Sequence, residues 1–447
     1  MTVLTTAAVK SDALPVSRAA RFRVEFVRDW KQAATCLNDL SLATPFQHPQ
    51  WLDAWYGAFP GPDDVEPLIA IICDAATGEQ VALLPLIRRL QKGIGIVEFA
   101  DLELTDYNAP MLTAAAPRDA KGARALWRDL KAALRRMPGG ADLIRLRKMP
   151  VDLDGRPNPL ALLDGAGPCS LNGNIVTTGD DFDAWRHTLE RTVRKELERS
   201  WRVLTRDPAA AFRIVTEKSD ALGILSTMET QQGTRMQHLG LNFILNDETC
   251  AAFYRNLVGN GVESGYVVLS ALSVGEEVVA TLLGIRSGSR YVMVRISNAG
   301  AKWSNCSPGR LIIERSMAAL HKDGIREFDF SIVTTPISAG LAWRRCRWWI
   351  SPRRSAGADC LTRCASAPRA SFAAIRDWPP MYDACLGGRR RGKRIRPAAP
   401  RPAGPARIPA HRDPIWRRWP RPHKCFAEIR AAPDPAPRRC GRRHRAG

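Results

Sequence analysis

The chain has no apolar run approaching the roughly 18 residues that a membrane span needs. Its first residues, MTVLTTAAVKSDALPVSRAARFR, lack the apolar stretch behind a basic start that marks a secretory signal. A membrane-spanning protein and a signal-bearing secreted one are excluded on this reading, and a cytoplasmic protein is expected. Paired metal ligands are also missing. Cys36, Cys73, Cys169, Cys250 and Cys306 stand far apart with no CxxC or Cys/His ligand spacing. That argues against a zinc site or a disulfide framework, and for buried free thiols in a reducing compartment. His48, His187, His238 and His321 show no partner spacing and read as surface or satisfied side chains.

Up to Ile332 the chain also lacks net charge. Of 66 basic and 45 acidic residues, 27 and 6 lie between Val333 and Gly447, which leaves 39 of each sign before that point. The same last stretch holds 16 of 32 prolines, 6 of 11 cysteines and 6 of 13 tryptophans. The whole net charge of +21 therefore belongs to residues 333–447, and the function is to be sought before them. With 447 residues and 45% hydrophobic composition, the chain is long enough for two or three domains with real cores.

Residues 1–20 read as a disordered leader. A strand at 22–26 and a helix at 29–40 precede PFQHPQWLDAWYGAF, where Phe46, Trp51, Leu52, Trp55, Tyr56 and Phe59 recur at helical spacing with Pro49 in the first turn. Strands are predicted at 67–73, 80–87 and 93–101, a helix at 120–136 and a strand at 141–148. After a Gly/Pro-rich link over 151–172 the same order returns. A charged helix is predicted at 182–202, a strand at 211–216, helices at 220–239 and 247–258, and strands at 266–273, 277–285 and 290–296. A helix at 309–322 and a strand at 326–332 complete the repeat, which is one of element order. The expected fold class is α+β: two tandem domains, 21–150 and 173–332, with mixed, mostly antiparallel sheets flanked by helices, then a disordered basic tail over 333–447.

Three stretches carry side chains suited to chemistry. In RYVMVRISNAGAKWSNCSPGRLIIERSMAALHKDG an apolar strand runs into a polar loop where Ser307 can cap a helix, Pro308 fits its first position and Gly309 allows close backbone approach. A helix N-terminus favours phosphate, and Arg310 can add a charge-assisted contact; the plainer reading is simply a good helix start. RTVRKELERSWRVL alternates basic and acidic residues, either as a solvated ion-paired face or as a lip that attracts an anionic substrate. Asp106 and Tyr107 of LTDYNAP can orient a substrate or merely form a loop. Asp329 in REFDFSI faces away from Phe328 and Phe330, which makes it a candidate base if its face lines a cleft.

Over residues 21–332 the chain resembles the GNAT acyltransferase superfamily, and within it the bacterial CelD-like group associated with cellulose and exopolysaccharide synthesis, itself similar to the FemAB-type aminoacyl transferases. PFQHPQWLDAWYGAF, LTDYNAP, RTVRKELERSWRVL and SNCSPGRLIIERSMAALHKDGIREFDFSI carry the resemblance. It implies two tandem GNAT folds, with acetyl-CoA or another acyl-CoA as co-substrate held by Ser304, Asn305, Cys306, Ser307, Gly309 and Arg310. It also implies acyl transfer to an amine or hydroxyl of a small-molecule or saccharide acceptor, without a metal. Asp329 is then the catalytic candidate, and Asp106 and Tyr107 the substrate-binding ones. Aminoacyl transfer from charged tRNA is the alternative within enzymes.

After FDFS the family pattern continues with a glycine, a short gap and a Tyr-Lys pair, where this chain has IVTTPISAGLAW. One extra G after the Ile332 codon, with mostly GC-rich codons, lets VTTPISAGLAWRRCRWWI be read as GDYPYKRRLGVAPLPLVD. The missing residues reappear, although the Lys needs an ATA codon at Ile337. Out-of-frame GC-rich DNA also yields abundant Arg, Pro, Ala, Gly, Cys and Trp. On this frameshift reading the second sheet loses its last strands and the present form is inactive. The competing reading makes GGRRRGKRIRPAAPRP and PRRCGRRHR a nucleic-acid-binding arm, with Trp416 and Trp419 stacking on bases.

Overall fold

The computed structural model describes residues 20–37, 42–61 and 65–331, and the backbone of 344–354. The first half runs β1 (Phe22–Val27), α1 (Trp30–Ala34), α2 (Pro49–Ala58), β2 (Val65–Pro67), β3 (Ile69–Asp74), β4 (Gln80–Leu84), β5 (Leu86–Gln91), β6 (Ile94–Phe99), β7 (Met111–Leu112), α3 (Ala120–Arg136) and β8 (Leu143–Pro150). A small hairpin of β9 (Asp152–Leu153) and β10 (Arg156–Pro157) leads into β11 (Gly167–Thr177). The second half follows with α4 (Phe182–Thr188), α5 (Arg191–Leu204), β12 (Ala210–Val215), α6 (Lys218–Leu239), α7 (Glu248–Gly261), β13 (Val267–Val274), β14 (Glu277–Ser287), β15 (Arg290–Asn298), α8 (Pro308–Lys322) and β16 (Glu327–Asp329). β17 (Arg344–Arg354) comes last.

The repeat of element order is real in space. In each half two helices lie between the first strand and its antiparallel neighbour, an antiparallel meander follows, and its last strand connects through one helix to a parallel partner: β6 to β8 through α3, β15 to β16 through α8. The fold is α+β with two halves of like topology, and antiparallel pairs dominate both. One sheet runs β12-β13-β14-β15-β16-β11-β17-β8-β6-β5-β2, and a second runs β1-β3-β4-β7.

Several elements differ from the sequence expectation for identifiable reasons. The strands expected at 67–73 and 80–87 are each cut in two, at Leu68 and Pro85, and the ladder crosses the bend through Leu68 N–H to Leu86 C=O at 3.0 Å. Proline has no N–H to give the ladder, so the break falls beside it. The helix expected at 182–202 is two helices, because Leu189 and Glu190 take extended backbone between them. The expected link over 151–172 hides the start of β11, which is Gly/Pro-rich at its outset and polar through Asn172 and Asn174. Residues 344–354, expected in the disordered tail, form β17, paired antiparallel to β11 and β8. The rest of the basic tail, the leader through residue 19 and the glycine and Tyr-Lys positions lie outside the described residues. Of the cysteines, Cys250 and Cys306 are buried, but Cys36 and Cys73 are only half-buried. Among the described residues no helix is long and apolar enough to cross a membrane.

The aromatic segment explains how the halves join. On α2, Trp51, Leu52, Trp55 and Tyr56 are buried, as their spacing predicts. Trp51 meets Phe253 of α7 edge-on, with centroids 5.1 Å apart, and Phe59 meets the same ring at 5.7 Å. One hydrophobic core therefore contains α2 together with α6, α7 and β13 to β15. His48 is satisfied rather than free: its Nδ1 accepts from Gln50 N–H, and its ring stacks on Tyr266 at 4.1 Å.

Candidate active site

The site begins where two parallel strands part. β15 and β16 pair only from Arg290↔Glu327 to Val292↔Asp329. Phe330 N–H then turns to Asn174 C=O of β11 at 2.8 Å, and β16 leaves β15. Just past the last pair, β15 carries a bulge: its register with β14 passes from Gly284↔Met293 to Leu283↔Arg295, so Val294 is an extra residue. Val294 thus has no register partner on either neighbour among the described pairs, and a bulge leaves its residue off the ladder. An opening at the C-terminal ends of parallel strands is where α/β sheets take ligands. α8 begins beside it, after the loop 299–307.

Asp329 is the last β16 residue paired with β15, where the strands part, and LTDYNAP of the first half reaches it. The Tyr107 hydroxyl donates to Asp329 Oδ1 at 2.5 Å, Ser331 N–H donates to the same oxygen at 2.7 Å, and the Ser331 hydroxyl donates to Asp106 Oδ2. The three residues proposed separately from sequence therefore meet in one cluster. Asp329 Oδ2 is buried with no hydrogen-bond partner among the described residues, in a side chain 1% exposed. A buried carboxylate oxygen without a donor is costly, and such an atom facing a cleft points to a missing donor. Phe328 and Phe330 pack in the core on the α8 side, as the period-two reading requires.

Burial dominates the electrostatics here. It pushes the Asp329 carboxyl up to about 6 against the hydrogen bonds from Tyr107 and Ser331, and the Asp106 carboxyl up to about 7. Tyr107 is raised well above its ordinary value, first by burial and then by Asp329. Beneath LTDYNAP sits Lys148, 5% exposed, which reaches Glu103 at 2.9 Å, Thr105 C=O at 2.9 Å and Asp101 at 3.1 Å. Burial alone would lower the Lys148 ammonium, but Asp101, Glu103 and Asp106 outweigh it and hold it above its usual range. Glu103, which burial would raise, is held at about 2 by Lys148 and Arg147.

The loop is fixed from several sides. Gln47 Nε2 donates to Tyr107 C=O at 3.1 Å, Phe46 meets the Tyr107 ring edge-on at 5.6 Å, and Asn108 Nδ2 donates to Asp101 at 3.1 Å. Leu102, Glu103, Lys148 and Ser331 all have positive φ, between 47° and 62°. Non-glycine residues in this region cost on the order of 1 kcal/mol each and gather at functional sites. Ser331 is held there by Asn174, whose Nδ2 donates to its C=O at 3.0 Å. Ser331, Asn174, Lys148 and the Val294 bulge were missed by sequence reasoning. Only FDFS carried any signal for one of them.

The candidate donor loop is arranged differently from expectation. Ser307 does start α8, but in the left-handed region, φ 46°, with no side-chain cap bond. Arg310 is taken: its guanidinium forms a bidentate pair with Glu196 of α5, both contacts at 2.8 Å. Arg199 of the same helix donates to Asn305 C=O at 3.3 Å, so the charged helix contacts the loop. Ser304 and Asn305 are exposed, while Cys306 is wholly buried with its thiol pushed up by burial. A Cβ on Gly309 would meet nothing closer than 3.9 Å, so no protein contact demands glycine there. At the first turn of α8 Pro308 has no N–H, and the N–H groups of Arg310 and Leu311 go to Ser307 C=O at 3.0 and 3.1 Å, so the fit of a phosphate there turns on Gly309 N–H and the helix start rather than on Arg310. Among the described residues no group of three His, Cys, Asp or Glu is placed to hold a metal ion.

Residues 191–336 match the acetyltransferase (GNAT) domain family. The match spans α5 to β16, including the loop before α8 and Asp329. No curated protein matches the sequence. Among solved structures the chain is similar to FemX, with TM-score 0.50 at 9% identity over 74% of this chain and 97% of FemX. A tandem GNAT protein from the clavulanic acid biosynthesis pathway gives TM-score 0.42 at 12% identity, over 76% of this chain and 100% of that one. L-PGS from Bacillus licheniformis gives 0.42 at 12%, over 75% and 95%. The FemX likeness is one of fold, and it extends across both halves.

Proposed function

We infer that this protein is an acyltransferase that moves an acyl group from acyl-CoA to an amine or hydroxyl in the opening between β15 and β16. The observation that carries the reading is Asp329, buried where the two strands part with Oδ2 unsatisfied, in the segment that matches the GNAT family. The acceptor's nucleophilic atom attacks the thioester carbonyl carbon while Asp329 Oδ2 takes its proton. On this reading the Val294 N–H, off the ladder at the bulge, serves the developing oxyanion, and collapse of the tetrahedral intermediate breaks the C–S bond and expels the thiolate, which takes up, directly or through solvent, the proton that Asp329 gives back. Positioning and preorganised hydrogen bonds supply most of the rate. Among the described residues, Asp106 and Asp329 accept hydrogen bonds from neutral groups, Ser331 and Tyr107. A protonated amine compensates such a pair better than a hydroxyl does.

Thiol release from acetyl-CoA with ethanolamine and glucosamine tests this reading. Asp329→Asn is expected to cut the rate by about 10²–10⁴-fold. A chain that neither binds acetyl-CoA nor loses transfer in Asp329→Asn overturns it.

Aminoacyl transfer from charged tRNA is the second reading, favoured by the extent of the FemX likeness, which covers both halves. Its donor is an ester rather than a thioester, and the same base and oxyanion donor serve it. Transfer from aminoacyl-tRNA without acetyl-CoA turnover would select it. The frameshift stands within the same proposal: sequencing the gene across the Ile332 codon either finds an extra G, restoring the glycine and Tyr-Lys pair, or makes the basic tail part of the protein. A genuine tail brings back the nucleic-acid-binding reading, which salt-dependent binding to random duplex tests. The link to cellulose or exopolysaccharide rests on the resemblance alone.

A further inference from the structure

We propose that Asp106 is a positioning residue for Asp329: through the Ser331 hydroxyl and the Tyr107 phenol the two carboxylates share one proton across the junction of the halves, so the first half sets the pH at which the base of the second half is free. The inference rests on the acyltransfer reading for its purpose but on contacts for its substance. Ser331 is the bridge, with its hydroxyl on Asp106 Oδ2 and its N–H on Asp329 Oδ1, while Tyr107, next to Asp106 in sequence, donates to Asp329 Oδ1 at 2.5 Å. Among the described residues the donors to the two carboxylates are neutral. Two such neighbouring buried carboxylates resist ionising together and titrate as a pair.

Around Asp329 the charged and titratable groups are Asp106 and Tyr107 of the loop, Arg290 of β15 and Glu327 of β16. Arg290 is engaged by Glu327 at 2.7 Å and lies 3.8 Å from Asp154. Around Asp106 they are Lys148 of β8, Asp101, Asp329 and Tyr254 of α7, whose ring carries Arg295 above it at 4.4 Å. Lys148 is divided between Asp101 and Glu103, and Arg290 is held by Glu327, so neither cation is dedicated to the pair. A proton resting on Asp106 leaves Asp329 ionised, with Oδ2 turned to the acceptor. The upward push on both carboxyls, to about 7 for Asp106 and about 6 for Asp329, has the same sense.

Two variants separate this from a structural role. Asp106→Asn keeps an oxygen for the Ser331 hydroxyl but removes the charge. Ser331→Gly keeps the N–H on Asp329 and suits the positive φ, losing only the hydroxyl. The acid limb of the kcat/KM–pH profile for acetyl-CoA and glucosamine is expected to rise in two steps in the wild type, because the shared proton leaves Asp329 only partly ionised until it is lost, and in one step, at the lower of the two pH values, in Asp106→Asn. In Ser331→Gly the upper step should shrink, because Asp106 loses the bond that favours its ionised form and keeps the proton more of the time.

A second measurement needs no substrate. Carboxyls raised in the folded state give stability that is complete below their unfolded value near 4 and is lost as pH rises through about 6 to 7. The wild-type Tm should therefore fall between pH 4.5 and pH 8, and Asp106→Asn should remove roughly half of that fall. A Tm fall identical in wild type and Asp106→Asn, or an acid limb with one step at the same pH in the wild type and both variants, overturns the proposal. If acyl transfer itself is absent, NMR titration of the Asp329 carboxyl still decides the coupling, with two steps in the wild type and one in Asp106→Asn expected.

Discussion

The two halves place a loop at the same point of the same motif, between a strand and the helix that leads to its parallel partner, and use it in opposite ways. After β6 the loop is buried: Asp101, Thr105 and Asn108 bond to one another, Lys148 lies beneath them, and the tip delivers Asp106 and Tyr107 across the junction. After β15 the loop is exposed at Ser304, Asn305 and Arg310, and ends in a helix start whose side-chain cap is absent. One half buries its loop beneath its own polar contacts, and the other leaves its loop exposed. A repeat of topology thus carries a division of labour that topology alone does not show.

The largest expected effect tests the buried side. Lys148→Met leaves Asp101 buried without its cation and Glu103 without one of two, and breaking a buried pair from one side costs about 3–5 kcal/mol. Urea unfolding should show that loss, with the first half leading. A cost under about 1 kcal/mol would mean that the loop holds itself without its lysine. Next comes the exposed side. Gly309→Glu puts a carboxylate in the first turn of α8, which complements the helix dipole by about 0.3–1 kcal/mol yet repels a phosphate. Acetyl-CoA affinity, read by thermal shift or calorimetry, should drop about tenfold while the Tm holds or rises. The matched change in the first half, Lys121→Glu at the start of α3, should leave acetyl-CoA affinity unchanged. If both variants weaken it equally, the loops do not differ in the way described.

Much of the frame was legible in sequence, because long amphipathic elements write their periodicity plainly. α3 has the predicted bounds, with Ala123, Leu126, Trp127, Leu130 and Leu134 on its buried face and Asp119 as its cap. Asp106 and Tyr107 were legible together as a polar loop, and Asp329 as a carboxylate between two phenylalanines. Their meeting was not, since it depends on packing between residues more than 200 positions apart. Ser331 was invisible because a serine in the left-handed region is recognised only from its backbone, and Asn174 because β11 looks like a link. Arg310 was misjudged for a related reason: an arginine beside a helix start suits phosphate, but Glu196 is distant in sequence and reaches it first.

The smallest expected effect isolates the helix starts themselves. Asp119 caps α3 with its carboxylate, which accepts from Gly122 N–H at 2.6 Å, so Asp119→Ala should cost about 1 kcal/mol. Ser307 stands at the same place before α8 but makes no such bond and sits at φ 46°. Ser307→Ala should therefore change stability by less than about 0.5 kcal/mol, well short of a lost cap. Ser307→Gly should stabilise by about 1 kcal/mol, because glycine enters the left-handed region without the strain a Cβ brings. Chemical denaturation of the three variants measures this. A gain in Ser307→Gly accompanied by weaker acetyl-CoA binding would mean that the serine hydroxyl, unneeded by the helix, is kept for the ligand. A gain with unchanged binding would leave the backbone of the first turn as the part that meets phosphate.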